Sequence, residues 1–307
     1  MTRGIYLVAN YKSQNLCENL IYSIRECNCQ LPIRVIHFGG KKITSSYILS
    51  NVEYLFKEDF PKEAIDFVTQ ISKVLTDCPE GFLLRFLAFF HDWDEFLYSD
   101  NDIVALTNWN RLFEYTENYD LIHADEEYTT IGRFNYDKPA KIIEQFGKDA
   151  LETAITAGHF VIKRKAEFIE NMYSAISWYK ENFGVAKKHD QAFLHIASLI
   201  GNWKMLNLCK PPHNWMSSWS GDYKNTLNLI ANLNDIGKRV ISHIHYSGST
   251  PKGNLPIQDL LMSNIMPQMR LNRYGIIWVK EFLLINKILL YTKKVKKRVV
   301  NFKAFYK

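Results

Sequence analysis

A chain of 307 residues that is 47% apolar and 23% charged has the composition of a globular protein with a real core, arranged as one large domain or two smaller ones. Its five cysteines (Cys17, Cys27, Cys29, Cys78, Cys209) are odd in number and form no Cys-x-x-Cys pair, which argues against a disulfide framework or a zinc site and fits a reducing cytosol. The net charge of +6 is uneven: residues 270–307 hold eleven Lys/Arg against Glu281, leaving a mildly acidic body and a basic tail, with no recognisable nucleic-acid reader.

The chain opens on Gly4-Ile5-Tyr6-Leu7-Val8-Ala9, a buried strand with no apolar leader before it. Tyr11 to Glu26 reads as a helix with Leu16, Leu20, Ile21 and Ile24 on one face, and Pro32 to Phe38 as a second strand closed by Gly39-Gly40. Val52 to Phe56 makes a third strand, and Pro61 to Leu75 a helix with proline in its first turn. Alternating strands and helices imply a mainly parallel sheet with helices on both faces. Gly81 to Phe90 is apolar almost all round and reads as a buried helix. Arg85 lies inside it. A buried guanidinium needs an anion, either an Asp of the following stretch or a ligand phosphate or carboxylate.

That stretch is the centre of the chain. Glu95 to Tyr98 is a short buried strand, Asp100-Asn101-Asp102 follows, and a second apolar run begins at Ile103. In extended backbone, residues i and i+2 point the same way, so Asp100 and Asp102 emerge together where the strand leaves the sheet. Ligands of open α/β sheets bind beyond the carboxyl ends of strands, and two carboxylates there can hold a hard divalent ion that shares its other positions with phosphate oxygens. An isolated Asp-x-Asp is also an ordinary solvated turn.

Further along, Trp109 to Tyr115 reads as a short helix, and Tyr119 to Ala124 as a strand ending in Asp125-Glu126-Glu127. Glu126 to Ala154 is expected to be an irregular loop or lid over a site. Thr156-Ala157-Gly158-His159 opens the strand Phe160-Val161-Ile162, Glu167 to Glu181 is an amphipathic helix, and His189-Asp190-Gln191 starts another that runs through Leu199. Pro211 to Trp219 is expected as a surface loop, and Arg239 to His245 as the last strand. Ile241 to His245 puts two histidines, His243 and His245, on one side of that strand, where a lone histidine is more often structural. No Gly-x-Gly-x-x-Gly, P-loop, Gly-x-Ser-x-Gly or zinc signature is present. No segment reaches 18 uncharged apolar residues, so no membrane span is expected.

Taken in order, Ala9-Asn10-Tyr11, Arg85, Asp100-Asn101-Asp102, Thr156-Ala157-Gly158, Asp190-Gln191 and His245-Tyr246-Ser247-Gly248 resemble the family-8 glycosyltransferases, retaining GT-A enzymes that include glycogenin and bacterial lipopolysaccharide galactosyl- and glucosyltransferases. The resemblance covers roughly Gly4 to Gly253. It implies a Rossmann-like GT-A domain over 1–268, with a helical basic C-terminal appendage over 269–307. It implies Mn²⁺ (or Mg²⁺) held by Asp100, Asp102 and His245, with the diphosphate of a UDP-sugar completing the shell. It places Ala9, Asn10 and Tyr11 at the nucleotide, Tyr11 stacking on the base, and Arg85 and Asn101 on the donor side. Gly248 would let the backbone approach the pyrophosphate and Lys252 would neutralise it. Asp190 would orient the donor sugar, Gln191 would steady the oxocarbenium-like centre, and Asp125 would lie near the acceptor. The chain departs from the family pattern at Thr156, where Asn is usual, at Ala192, where a second Asp is common, and at Pro251-Lys252-Gly253, where the basic residue is shifted by one.

The activity that the resemblance implies is transfer of a hexose from a UDP-sugar to a glycan or glycolipid acceptor, with retention expected and cell-surface polysaccharide or lipopolysaccharide as the acceptor class. The alternatives are a non-catalytic glycan- or nucleotide-binding protein of the same fold, and an inverting transferase. The tail from Tyr274, with Trp278 and Phe282 beside Lys293 to Arg298, suits an anionic membrane surface, each basic residue there contributing about 1 kcal/mol. A peripheral location at the cytoplasmic membrane face is therefore expected. A C-terminal helix packed on the body is the other reading of the tail.

Overall fold

The computed structural model describes residues 1–124, 135–220 and 240–246. The chain divides into two compact units. The first comprises Met1–Trp219 and Arg239–Ser247 and carries the sheet; the second, Ser220–Lys238 with Gly248–Lys307, lies outside the described residues except for Ser220. The expected C-terminal segment 269–307 is therefore also outside them.

Seven strands form the main sheet in the order β3-β2-β1-β4-β7-β6-β8: β1 (Arg3–Ala9), β2 (Ile33–His37), β3 (Glu53–Leu55), β4 (Glu95–Ser99), β6 (Leu121–His123), β7 (His159–Lys163) and β8 (Met205–Asn207). Only β7 runs against the others. Such a sheet is covered on both faces, and β1 alternates accordingly. Tyr6 and Val8 enter one core, packed beneath α3 (Lys62–Val74), α6 (Ala166–Glu181) and α7 (Asp190–Ile200). Ile5, Leu7 and Ala9 enter the other, beneath α1 (Gln14–Glu26) and the 3₁₀ turn Trp109–Tyr115. The helix α3 buries Ala64, Phe67, Val68 and Ile71, the i, i+3, i+4, i+7 stripe that a helix lays on a sheet. Strand order reverses at β1, which lies between β2 and β4, so a crevice opens at the carboxyl ends of β1 and β4. A second, two-stranded sheet pairs β5 (Ile103–Ala105) with β9 (His243–His245) beside that crevice.

Several sequence expectations need correction. The first helix begins at Gln14, not Tyr11, because the Asn10 side chain holds the intervening turn: its Oδ1 accepts from the amides of Lys12 at 2.9 Å and Ser13 at 3.0 Å. The buried segment Gly81–Phe90 is one α-turn, α4 (Glu80–Leu83), running into a fully buried 3₁₀ stretch, Leu84–Phe90. The expected irregular region contains α5 (Pro139–Phe146), started by Pro139 and stopped at Gly147 with φ 98°, and a 3₁₀ turn at Ala150–Thr153. The Pro211–Trp219 loop buries Trp215, Ser217 and Ser218 rather than lying on the surface. The last strand is shorter than Arg239–His245, and β8 was not anticipated. The short α2 (Ser46–Asn51) is capped by Ser45, whose hydroxyl accepts from the Ile48 amide. All five cysteines are free thiols. Among the described residues no helix is long and apolar enough to cross a membrane.

Candidate active site

The apolar β4 delivers Asp100 to the crevice, where its amide donates to the Gly158 carbonyl at 2.7 Å. The chain then turns through Asn101 and Asp102 into β5. Because Ile103 pairs with His245 across the small sheet, and the Tyr246 amide donates to the Asp102 carbonyl at 2.9 Å, β9 sets His245 beside the two carboxylates. His245 Nε2 lies 3.3 Å from Asp102 Oδ1 and 3.9 Å from Asp100 Oδ2. One ligand atom from each of the three residues lies within 4.8 Å of the other two. The imidazole sits so close to β7 that a Cβ on residue 158 would stand 2.2 Å from its Cε1, so only glycine fits there.

The surroundings shift the two carboxyls in opposite directions. Burial pushes the Asp100 carboxyl above its usual range, and Arg85 only partly offsets that; the Asp102 charge pushes it further up. Asp102 is also raised by burial, but the adjacent His245 and its own backbone contacts outweigh this and hold it below the usual range. Two acidic oxygens and an imidazole nitrogen suit Mn²⁺ or a similar dication, and the clustered geometry accommodates one. Behind His245 lie two more buried histidines, His159 and His243, with ring centroids 3.9 Å apart. Burial, helped by His245, lowers His159 to about 3, so that ring is neutral at ordinary pH.

Arg85 is the hub of the site. It is buried at 2% exposure and donates to Asp100 Oδ1 at 3.1 Å and to Asp190 Oδ2 at 3.0 Å. It also donates to the carbonyls of Phe82 and Ala157. The guanidinium therefore joins the Asp100–Asp102–His245 cluster to the start of α7. Asp190 is buried there, and the helix is capped by the His189 ring, whose Nδ1 accepts from the Ala192 amide at 3.3 Å. Gln191 donates through Nε2 to Asn135 Oδ1 at 2.9 Å, which leaves its Oε1 as the group able to face an electron-poor centre. Cys78 Sγ is 3.8 Å from Asp190 Oδ1; burial, then the Asp190 charge, push its thiol up to about 12.

On the other side of the crevice, Asn101 donates to the Val8 carbonyl at 2.7 Å and so ties the Asp-x-Asp turn to the end of β1. Its Oδ1 is buried without a hydrogen-bond partner, an acceptor available to a ligand. Asn10 has spent its oxygen on the helix-entry turn, so its amide nitrogen is what remains for a base. The Tyr11 ring carries the Lys41 ammonium 3.4 Å from its centroid.

Residues 2–124 match the family described as “Mannosyltransferase putative”. No curated protein matches the sequence. Among solved structures, mouse xyloside xylosyltransferase 1 is similar over 82% of this chain and 99% of its own, with a TM-score of 0.52 at 12% identity. The bifunctional glycosyltransferase WbbM is similar over 91% of this chain, with a TM-score of 0.52 at 13% identity; the chain spans 51% of that structure. The fold is that of the GT-A glycosyltransferases. The match and the fold together support a glycosyltransferase.

In this GT-A fold, Asp100, Asp102, His245, Arg85, Asp190 and Asn101 are brought together around the switch-point crevice, with Gln191 following Asp190 and Ala9, Asn10 and Tyr11 at the end of β1. Asp125, Gly248 and Lys252 lie outside the described residues. Arg85 has protein carboxylates for partners, Asp100 and Asp190. Three roles escaped sequence reading. Asn135 carried no local signal, and His189, named at the start of its helix, gave no sign that its ring caps it. Tyr98 did: it lies two residues before Asp100 on the same face of β4, and its hydroxyl donates to Asp100 Oδ1 at 2.7 Å.

Proposed function

We propose that this protein is a metal-dependent hexosyltransferase that moves a sugar from a UDP-sugar to a glycan or lipid-linked acceptor, with retention of configuration, in the manner of the family-8 enzymes. The observation that carries the reading is the Asp100–Asp102–His245 cluster at the switch point of a GT-A sheet, joined through Arg85 to Asp190. Asp100, Asp102 and His245 would hold Mn²⁺ or Mg²⁺. Such an ion, when bound, supplies Lewis-acid stabilisation of the departing nucleoside diphosphate.

The chain's own groups do the rest. Ala9, Asn10 and Tyr11 take the nucleoside, the Tyr11 ring giving the base a stacking face and Asn10 its amide nitrogen. Asn101 Oδ1 accepts from the donor. Arg85 fixes Asp100 and Asp190 relative to each other, so the diphosphate end and the sugar end of the donor are registered by one buried cation. Asp190 orients the sugar hydroxyls, and Gln191 turns its Oε1 toward the anomeric carbon as positive charge develops there. Asp125 serves the acceptor, and Gly248 and Lys252 the pyrophosphate. The basic segment 269–307 docks on anionic lipid at the cytoplasmic face of the membrane; co-sedimentation with anionic but not with neutral vesicles is the expected result.

A second donor reading has its own support. The family match over residues 2–124 bears the description of a mannosyltransferase, which favours a nucleoside-diphosphate mannose. Nucleotide release from a panel of UDP-hexoses, UDP-N-acetylhexosamines and nucleoside-diphosphate mannose, with Mn²⁺ and with EDTA, tests both. Release from one UDP-sugar that EDTA abolishes supports the first reading, and release from the mannose donor alone supports the second. Tight Mn²⁺-dependent nucleotide binding without turnover on any donor or acceptor would make the protein a non-catalytic binder.

A further inference from the structure

Tyr98 is buried at 1% exposure near the end of β4. Its ring stacks on Phe160 of β7, with centroids 5.5 Å apart and planes at 28°. The Arg85 guanidinium lies over the same ring at 4.6 Å from its centroid. A phenylalanine would make these contacts equally well, so packing does not account for the hydroxyl. Burying a hydroxyl is costly unless it is hydrogen-bonded, and the partner here is Asp100 Oδ1 at 2.7 Å. Asp100 Oδ1 also accepts from Arg85 Nη2 at 3.1 Å, whereas Oδ2 faces His245 at 3.9 Å. The two oxygens of one carboxylate are thus given different work.

We propose that Tyr98 is a positioning residue for the metal site, its hydroxyl holding Asp100 so that one carboxylate oxygen belongs to the protein and the other to a bound dication. The proposal rests on the metal-dependent reading above. It answers a competition that the geometry sets up. Arg85 carries a planar fork that favours bidentate pairing with a carboxylate, and a bidentate Arg85–Asp100 pair would turn Oδ2 away from His245. The phenol occupies Oδ1 from a second direction and opposes that rotation.

The test is Mn²⁺ titration of the full-length protein in the presence of UDP, with free Mn²⁺ followed by electron paramagnetic resonance. Tyr98→Phe is expected to weaken Mn²⁺ binding about tenfold, the loss of one hydrogen bond to a charged acceptor, and to raise the Mn²⁺ concentration for half-maximal turnover in parallel. Phe160→Leu is the packing control: it disturbs the stack under Tyr98 without touching the hydroxyl, and is expected to lower the melting temperature at least as far while keeping wild-type Mn²⁺ affinity. Wild-type or tighter Mn²⁺ binding by Tyr98→Phe would overturn the assignment while leaving the metal reading in place. Equal loss of affinity in both variants would reduce Tyr98 to a packing residue. A wild-type protein that takes up no Mn²⁺ with UDP would remove the metal reading itself, and Tyr98's role with it.

Discussion

The two ends of the parallel sheet are both lined with charge, and they treat it differently. At the amino end, the carboxylates are spread over several donors: Glu95 with Arg3, Glu53 and Asp92 with Arg34, Asp120 with Lys165, and Asp94 with the Thr2 amide. At the carboxyl end, three carboxylates, Asp100, Asp102 and Asp190, converge on one guanidinium and one imidazole. The amino end is balanced and closes the sheet. Among the described residues, the carboxyl end brings three carboxylates to one guanidinium and one imidazole, at the place where the proposed dication and sugar diphosphate would bind. Two of those carboxylates, Asp100 and Asp190, share a single buried cation, Arg85.

The contrast is sharpest in function. Asp102→Asn removes a carboxylate that Arg85 does not hold, so transfer should fall by about 10²-fold or more while the melting temperature drops only slightly, through the lost His245 partner. Full activity in that variant would break the comparison. Next comes the buried cation. Arg85→Met leaves Asp100 and Asp190 facing each other unpaired, and chemical denaturation should show a loss of about 3–5 kcal/mol. Arg34→Met at the amino end, whose partners Glu53 and Asp92 are largely exposed, should cost only about 1 kcal/mol, mostly from its stacking on Trp93. Equal losses in the two variants would erase the distinction between the ends.

Between these in size lies an effect of pH that belongs to neither end's ion pairs. Burial lowers both His159 and His195 to about 3; the His195 ring is held between the Tyr136 and Thr153 hydroxyls. Both native values lie below the unfolded one near 6.5, so the unfolded chain gains protons first as pH falls. The stability these two groups contribute is complete above pH 6.5 and lost below it. Denaturation at pH 7.5 and pH 5 should differ by about 4 kcal/mol. A flat profile over that range would mean that the two rings are accessible to protons in the native state.

Much of this was legible in the sequence because it depends on local period. The strand of Gly4–Ala9, the helix after Pro61, and the same-side projection of Asp100 and Asp102 all follow from residue spacing, and each is found in the structure. The need of Arg85 for an anion followed from its apolar surroundings, but its second partner, Asp190, is 105 positions away, and no periodic signal spans that separation. The pairing of β5 with β9, which brings His245 to Asp102, is likewise a long-range event. The start of α1 was misplaced because a side-chain turn at Asn10 competes with the helix over three residues that have no strong preference of their own. The helix Pro139–Phe146 was missed because a single buried residue, Ile142, anchors it, too little for an apolar stripe.

The most direct test of the account is a thermal melt of the wild-type protein and of Asp102→Asn, each with Mn²⁺ alone, UDP alone and both together. The account predicts that the wild-type protein rises by several degrees only when both are present, since each ligand completes the other's site, and that Asp102→Asn does not respond. A wild-type melting temperature unmoved by the pair, or the same rise in Asp102→Asn, would contradict it.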